Sequence, residues 1–203
     1  MLVTGPTLTL RYATTADAPR LLELASDPLV TRWFSWGPYS HVEQPEGYIA
    51  SLPEKRERGE LLDFLVVHPE DGPIGVTGLS ELSVRDRRAT VGSWFGRSYW
   101  GSGANGESKA MVAALAFRHL GMERLTAWAN TRNGRSQTAL ERVGFHREGI
   151  LRGWHRHGMD VHDVVVFRML RDEWAQSALA RVPVEITGTP PAAFSLGSLV
   201  SAA

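Results

Sequence analysis

The stretch Trp100-Gly-Ser-Gly-Ala-Asn-Gly-Glu107 constrains this chain more than any other. It joins a β-like run, residues 89–95, to a strongly helical one, residues 107–120. Closely spaced glycines at a helix start let the backbone approach a ligand, and the unpaired N–H groups there attract anions. The helix dipole adds at most about 2 kcal/mol for a well-placed charge. A plain strand–turn–helix connection would look similar, because Gly-rich turns are common. A second segment sets this loop apart: Asn133-Gly-Arg-Ser136, followed by Ala139-Leu-Glu-Arg-Val-Gly-Phe145 and Glu148-Gly-Ile-Leu-Arg152.

Together these segments resemble the GCN5-related N-acetyltransferase (GNAT) superfamily, whose pyrophosphate motif is Arg/Gln-x-x-Gly-x-Gly/Ala. The matching positions here are Trp100-x-x-Gly103-x-Asn105. Trp at the first position is similar to the branch that acetylates ribosomal-protein N-termini, where Tyr-Trp-Gly-x-Gly is usual. Asn105 stands where that motif has a small residue. The downstream pattern Asn-x-x-Ser-x-x-Ala-Leu-x-x-x-Gly-Phe is matched position for position, and the resemblance spans residues 7–174.

The resemblance implies an α/β (α+β) fold: a mixed, mostly antiparallel central sheet with helices on both faces. Its fourth and fifth strands splay apart to admit the pantetheine arm of acetyl-coenzyme A. The coenzyme contacts it implies are Trp94 and Phe95 on the splayed strand, and Trp100, Gly101, Ser102, Gly103, Ala104 and Asn105 in the loop. Asn133 and Ser136 are implied beyond the gap, with Asn133 on a pantetheine amide. The acceptor would be a primary amine, favourably a protein or peptide α-amine. Relatives of this kind often form homodimers.

Composition narrows the rest. A chain of 203 residues with 43% hydrophobic content can bury one sizeable core. Residues 1–180 are expected to form the domain. Residues 181–203, rich in Pro, Gly, Ser and Ala, are expected to be a flexible or loosely packed tail. A net charge of +0 offers no basic surface for nucleic acid. Zero cysteines exclude disulfides, zinc–thiolate sites and a thiol nucleophile. The first residues lack the basic start and apolar run of a signal peptide, and no apolar run is long enough to span a bilayer. A cytoplasmic enzyme without a membrane partner is the expectation.

Along the chain the patterning predicts a strand at 7–12 and a helix from Thr15 or Asp17 to about Leu24. A second helix is predicted at 45–58, and strands at 61–68, 74–82 and 89–95. Helix 105–120, strand 124–128, helix 135–143 and strands 145–154 and 161–170 follow. Ala110, Ala113, Ala114 and Phe117 fall at helical spacing and should face the sheet as core. The aromatic loop 33–39 supplies Trp33 and Trp36, which either wall the acceptor site or pack over a helix.

Two other readings compete. Gly101-x-Gly103-x-x-Gly106 satisfies a dinucleotide fingerprint, with Glu123 nearby. That motif needs its first glycine at the end of a strand in a parallel βαβ unit. Here five residues intervene, and three consecutive strands precede the loop, so the oxidoreductase reading loses. His155, His157 and Asp160 could suit a metal, but they flank a turn between two strands, and solvated turn residues explain them equally well. No metal is expected. The resemblance instead places this hairpin beside the acceptor pocket, with His155 or His157 as the residue to touch substrate.

Acetyl transfer needs a neutral amine, stabilisation of an oxyanion, and a proton for the departing thiolate. Backbone N–H groups near Trp94 and Phe95 suit the oxyanion. Many relatives carry a Tyr acid four residues after the serine of the downstream motif, where this chain has Leu140. Ser136 is therefore the candidate acid, unless it only caps the following helix. The carboxylate often found before the Val-Gly pair is replaced by Thr90, leaving Glu81 as the first base to test. Deprotonating an α-amine at pH 7 costs only about 1 kcal/mol, against roughly 4–5 for a lysine amine. A site without a strong base thus suits α-amines. Acetylation of a small amine, such as an antibiotic or polyamine, is an alternative, as is a coenzyme-binding sensor without turnover.

Overall fold

Strand-forming and helix-forming periods each find their place in the computed structural model, which describes residues 1–157 and 159–194. Two short strands, β1 (Leu2–Thr4) and β2 (Thr9–Arg11), pair antiparallel. Helix α1 (Ala18–Ala25) follows a single 3-10 turn in which Asp17 accepts hydrogen bonds from the Thr14 N–H and hydroxyl. Arg11 grips the same carboxylate with both guanidinium nitrogens at 2.7 and 2.8 Å, tying the turn to the sheet. Short α2 (Pro28–Thr31) and long α3 (Glu43–Glu57) complete the first crossing.

A meander of β3 (Leu61–His68), β4 (Gly72–Ser83) and β5 (Arg88–Phe95) comes next. Helix α4 (Ala104–Ala114) continues as a π-helical turn, Leu115–His119. Then come β6 (Arg124–Asn130), α5 (Gly134–Arg142), β7 (His146–His157), β8 (Asp160–Leu170), α6 (Arg171–Gln176) and β9 (Glu185–Thr187). The strands form one sheet in the order β7-β8-β6-β5-β4-β3-β2-β1-β9. Every pairing is antiparallel except β5 with β6.

Helices cover both faces. Ala18 and Leu21 of α1 and Ile49 of α3 bury against Leu65 and Val76 on one face. On the other, Ala110, Ala113, Ala114 and Phe117 are all at most 2% exposed, as their spacing predicts, and Phe117 stacks on Trp174 at 5.2 Å. The C-terminal region departs from the tail expected of it. β9 pairs with β1, and Phe194 is fully buried in the main core. Burying a phenylalanine contributes about 1.5–3 kcal/mol, enough to hold a Pro- and Ala-rich segment in place. The remainder of that expected tail, residues 195–203, lies outside the described residues.

The feature that positions the site is the parallel pairing of β5 with β6. β5 and β6 pair just at Arg88, Ala89 and Thr90 against Arg124, Leu125 and Thr126. Beyond those steps β5 stays bonded to β4, and β6 to β8, but no longer to each other. Counted from the strand predicted at 7–12, these are the fourth and fifth strands, and they splay as expected.

Candidate active site

The gap between β5 and β6 opens after Thr90, leaving two facing strand edges with unused backbone donors and acceptors. Such edges suit an extended, amide-bearing chain. Asn130 ends β6 at this gap, 7% exposed. Its Oδ1 accepts from the Arg132 N–H at 2.9 Å, while its buried Nδ2 has no partner among the described residues. A buried donor without an acceptor is costly, and a pantetheine carbonyl would satisfy it. Sequence reasoning missed this residue.

Asn133 caps α5: its Oδ1 accepts from the Ser136 N–H at 3.2 Å, leaving the side-chain NH2 to donate elsewhere. Capping therefore belongs to Asn133 and not to the Ser136 side chain, contrary to the structural alternative weighed for Ser136. The Ser136 hydroxyl is half-buried and makes no hydrogen bond among the described residues. Leu140, where relatives carry an acid, is buried core.

The glycine loop precedes α4 as expected. Gly103, the N-cap, has φ +94°, and Gly101 has φ +82°. Both lie in the left-handed region that favours glycine. Nothing lies within 4 Å of a Cβ built at either position, so the loop stands open above the helix start. Trp100 donates its indole N–H to the Phe95 carbonyl at 2.9 Å, and the Arg135 guanidinium covers its ring at 3.1 Å. Ser102 turns its hydroxyl back to the Tyr99 carbonyl, and Ala104 starts the helix.

Asn105 departs from the usual small residue for a reason visible only in three dimensions. Its Oδ1 accepts from Ser93 Oγ at 3.1 Å and from Lys109 Nζ at 3.5 Å, and Lys109 also donates to Ser93 at 2.6 Å. Lys109 is 5% exposed and forms no ion pair among the described residues. Burial pushes its ammonium down to about 8. Because the folded value lies below the ordinary 10.5, the unfolded chain binds more protons between those limits, and stability rises with pH there. Lys109→Met is expected to stabilise the coenzyme-free protein by about 1–3 kcal/mol at pH 7. That gain should shrink as pH rises from 8 towards 10.5, and a pair of thermal melts at pH 7 and 10 checks it.

The opposite face of β5 carries the acceptor candidates. Trp94 meets Trp36 edge-on at 5.6 Å, and Trp36 stacks on Phe34 at 5.1 Å. Thr90, standing where relatives often have a carboxylate, donates its hydroxyl to Glu81 Oε2 at 2.7 Å, so a carboxylate reaches this position from β4. Glu81 sits at an irregularity between Ser80 and Ser83 with φ +50°. His155 packs edge-on against Trp128 at 4.2 Å, and burial lowers its pKa below the ordinary histidine value. Trp33 is separated from this group. It lines a cleft of about 250 Å³ with Leu29, Arg32, Trp100, Asn133 and Arg135, on the coenzyme-loop side. Glu107 holds the N-terminal segment through Thr7 and Leu8. Among the described residues no three His, Asp or Glu side chains are gathered so as to hold a metal ion, and no helix is long and apolar enough to cross a membrane.

Comparison with known proteins agrees with this geometry. The model of an acetyltransferase (GNAT) domain matches residues 7–146. The chain is 30% identical over 169 residues to the uncharacterized N-acetyltransferase p20 of Bacillus licheniformis, covering 83% of this chain and 95% of that one. It is 29% identical over 173 residues to YdaF of Bacillus subtilis strain 168, provisionally named a ribosomal N-acetyltransferase, covering 82% and 93%. Among solved structures, RimJ of Mycobacterium smegmatis in complex with CoA-disulfide superposes with a TM-score of 0.78 at 21% identity, covering 89% of this chain and 91% of that one. With its splayed strands, left-handed glycine loop and matched domain, the chain belongs to the GNAT acetyltransferases, enzymes that transfer acetyl from acetyl-coenzyme A.

Proposed function

We propose that this acetyltransferase acts on a primary amine, with a protein or peptide N-terminal α-amine as the favoured acceptor. The observation that carries the reading is the gap between β5 and β6, with Ser136 beyond it and a carboxylate- and aromatic-lined face beside it. The pantetheine arm lies between the strands, with Asn130 Nδ2 and the Asn133 NH2 donating to its amides. The pyrophosphate rests on the 101–105 loop at the start of α4. N–H groups of the free β5 edge near Trp94 and Phe95 hold the thioester oxygen as it gains charge.

Ser136 gives its proton to the leaving thiolate, and Glu81, held by Thr90, adds negative charge to the acceptor face of the sheet. Trp36 and His155 bound the acceptor. The likeness to YdaF supports a ribosomal-protein acceptor. A peptide with a free α-amine is expected to show at least about tenfold higher kcat/KM than the same peptide Nα-blocked with one internal lysine, reflecting the lower cost of deprotonation. Equal values, or a preference for a diamine, would favour the small-amine reading.

A homodimer through β7 belongs to the same proposal. β7 is a sheet edge of 12 residues, long for an edge strand, and it exposes Ile150, Leu151 and Trp154, with Met159 and Val161 beside them. A second copy pairing there would cover them. Light scattering should give twice the chain mass, falling to one chain mass in Trp154→Lys.

A further inference from the structure

We propose that Asp63 is a catalytic residue of this site, taking the proton from the acceptor's ammonium above Gly92. The proposal rests on the acetyl-transfer reading above and adds a group that the family resemblance does not supply. Asp63 lies in β3 within an otherwise apolar run, on the same sheet face as Gly78 and Gly92, which follow it in register across β4 and β5.

The side chain lies over the neighbouring strand β4. Its Oδ2 accepts the Tyr48 hydroxyl at 2.7 Å. Its Oδ1 accepts no hydrogen bond among the described residues and lies directly over Gly78, where a built Cβ would sit 2.1 Å away. Only glycine permits that placement. Gly92 is one strand spacing further, about 5 Å. It is exposed, with nothing within 4 Å of a Cβ built on it. Two glycines in register thus clear a path from a carboxylate oxygen to the strand that borders the gap. Gly92 stands two residues past Thr90, the last step at which β5 pairs with β6, so an amine above it is at the opening. Glu81, by contrast, is bonded to Thr90 at the closed end.

The surroundings suit a proton acceptor. Burial raises the Asp63 carboxyl to about 6, against the lowering influence of the Tyr48 hydrogen bond and of Lys55 and Arg56 on α3. These are the titratable and charged groups that act on it, since β4 and β5 present glycines there. A base of this strength is mostly ionised at pH 7 yet strong enough to assist an α-amine. The balance closes as follows. The ammonium passes one proton to Asp63, and the freed lone pair forms the N–C bond to the acetyl carbon. The C–S bond breaks with its electron pair on sulfur, which takes the Ser136 proton. The nitrogen returns a second proton to Ser136, and Asp63 releases its own to water. The products are the acetylated amine, the free thiol and one proton.

The test is the pH dependence of kcat/KM for the native enzyme with acetyl-coenzyme A and an α-amine peptide, beside calorimetric coenzyme binding. The acidic limb should centre near the Asp63 value of about 6. Asp63→Asn should lower kcat about 10²- to 10³-fold and abolish that limb, with coenzyme binding kept. Tyr48→Phe retains the carboxylate but removes a bond to its charged form, so the limb should move to higher pH with activity recovered on the plateau. A purely structural role would lower activity without moving the limb. The proposal is overturned if Asp63→Asn turns over normally, if Glu81→Gln rather than Asp63→Asn abolishes the limb, or if Tyr48→Phe leaves it unmoved. Should Asp63→Asn fail to bind coenzyme, Tyr48→Phe alone decides. Wild-type protein that binds acetyl-coenzyme A but acetylates no amine would instead overturn the acetyl-transfer reading itself.

Discussion

Ser136→Ala is expected to lower kcat about 10²-fold while the protein melts within about 0.5 kcal/mol of the wild type. Removing a helix cap would ordinarily cost about 1 kcal/mol. Here the cap is Asn133 Oδ1, and what it receives is the backbone N–H of residue 136, which alanine retains. The hydroxyl itself bonds nothing else among the described residues, so deleting it leaves no stranded partner. An effect confined to turnover, with coenzyme affinity unchanged, is therefore diagnostic of proton donation to the thiolate. Steady-state kinetics beside a thermal melt make the separation. Normal turnover would remove Ser136 from the chemistry, since no structural role remains to explain its position.

Gly103→Val should weaken acetyl-coenzyme A binding by about 3 kcal/mol, or roughly 10²-fold, and leave the core folded. At φ +94° a β-branched side chain is strained by about 1–3 kcal/mol, and relaxing that strain turns the loop's N–H groups away from the phosphates. The space around a Cβ at this position is open, so the free protein suffers no clash. The added methyls would occupy that open space, on the side where a phosphate approaches the helix start. Asn133→Ala makes a useful companion. It removes one donor to the pantetheine and one cap, so its loss of affinity, about 1–3 kcal/mol, should come with about 1 kcal/mol of stability. Calorimetry on the folded variants checks both, and unchanged affinity in Gly103→Val would refute the loop's assignment.

What the sequence could reveal depended on the range of the interaction. Strand and helix periods are local, which is why β3 to β8 and α3 to α5 fall within a few residues of their expected bounds. The gap could be anticipated because a glycine loop and an Asn-x-x-Ser segment both carry spacing. β1 and β9 are three residues each and are held by pairing with one another, information that neither segment contains alone. The network of Ser93, Asn105 and Lys109 likewise joins a strand to a helix, and nothing local explains why asparagine replaces a small residue there. Asn133 and Ser136 are both good caps, so composition could not choose between them and the backbone did. Trp33 and Trp36 sit three residues apart in one loop, yet Trp33 lines the cleft beside the coenzyme loop while Trp36 packs on Trp94 of β5. Asp63 did leave a signal: an acid in the run Leu-Leu-Asp-Phe-Leu-Val-Val is out of keeping with a buried strand.

The most direct test is thiol release from acetyl-coenzyme A, measured with purified protein against a panel of α-amine peptides, lysine peptides and small amines. The account predicts amine-dependent release, fastest with an α-amine peptide, with one acetyl group found on the acceptor for each thiol freed. Coenzyme binding in calorimetry without release for any amine would contradict it and leave the fold as a sensor.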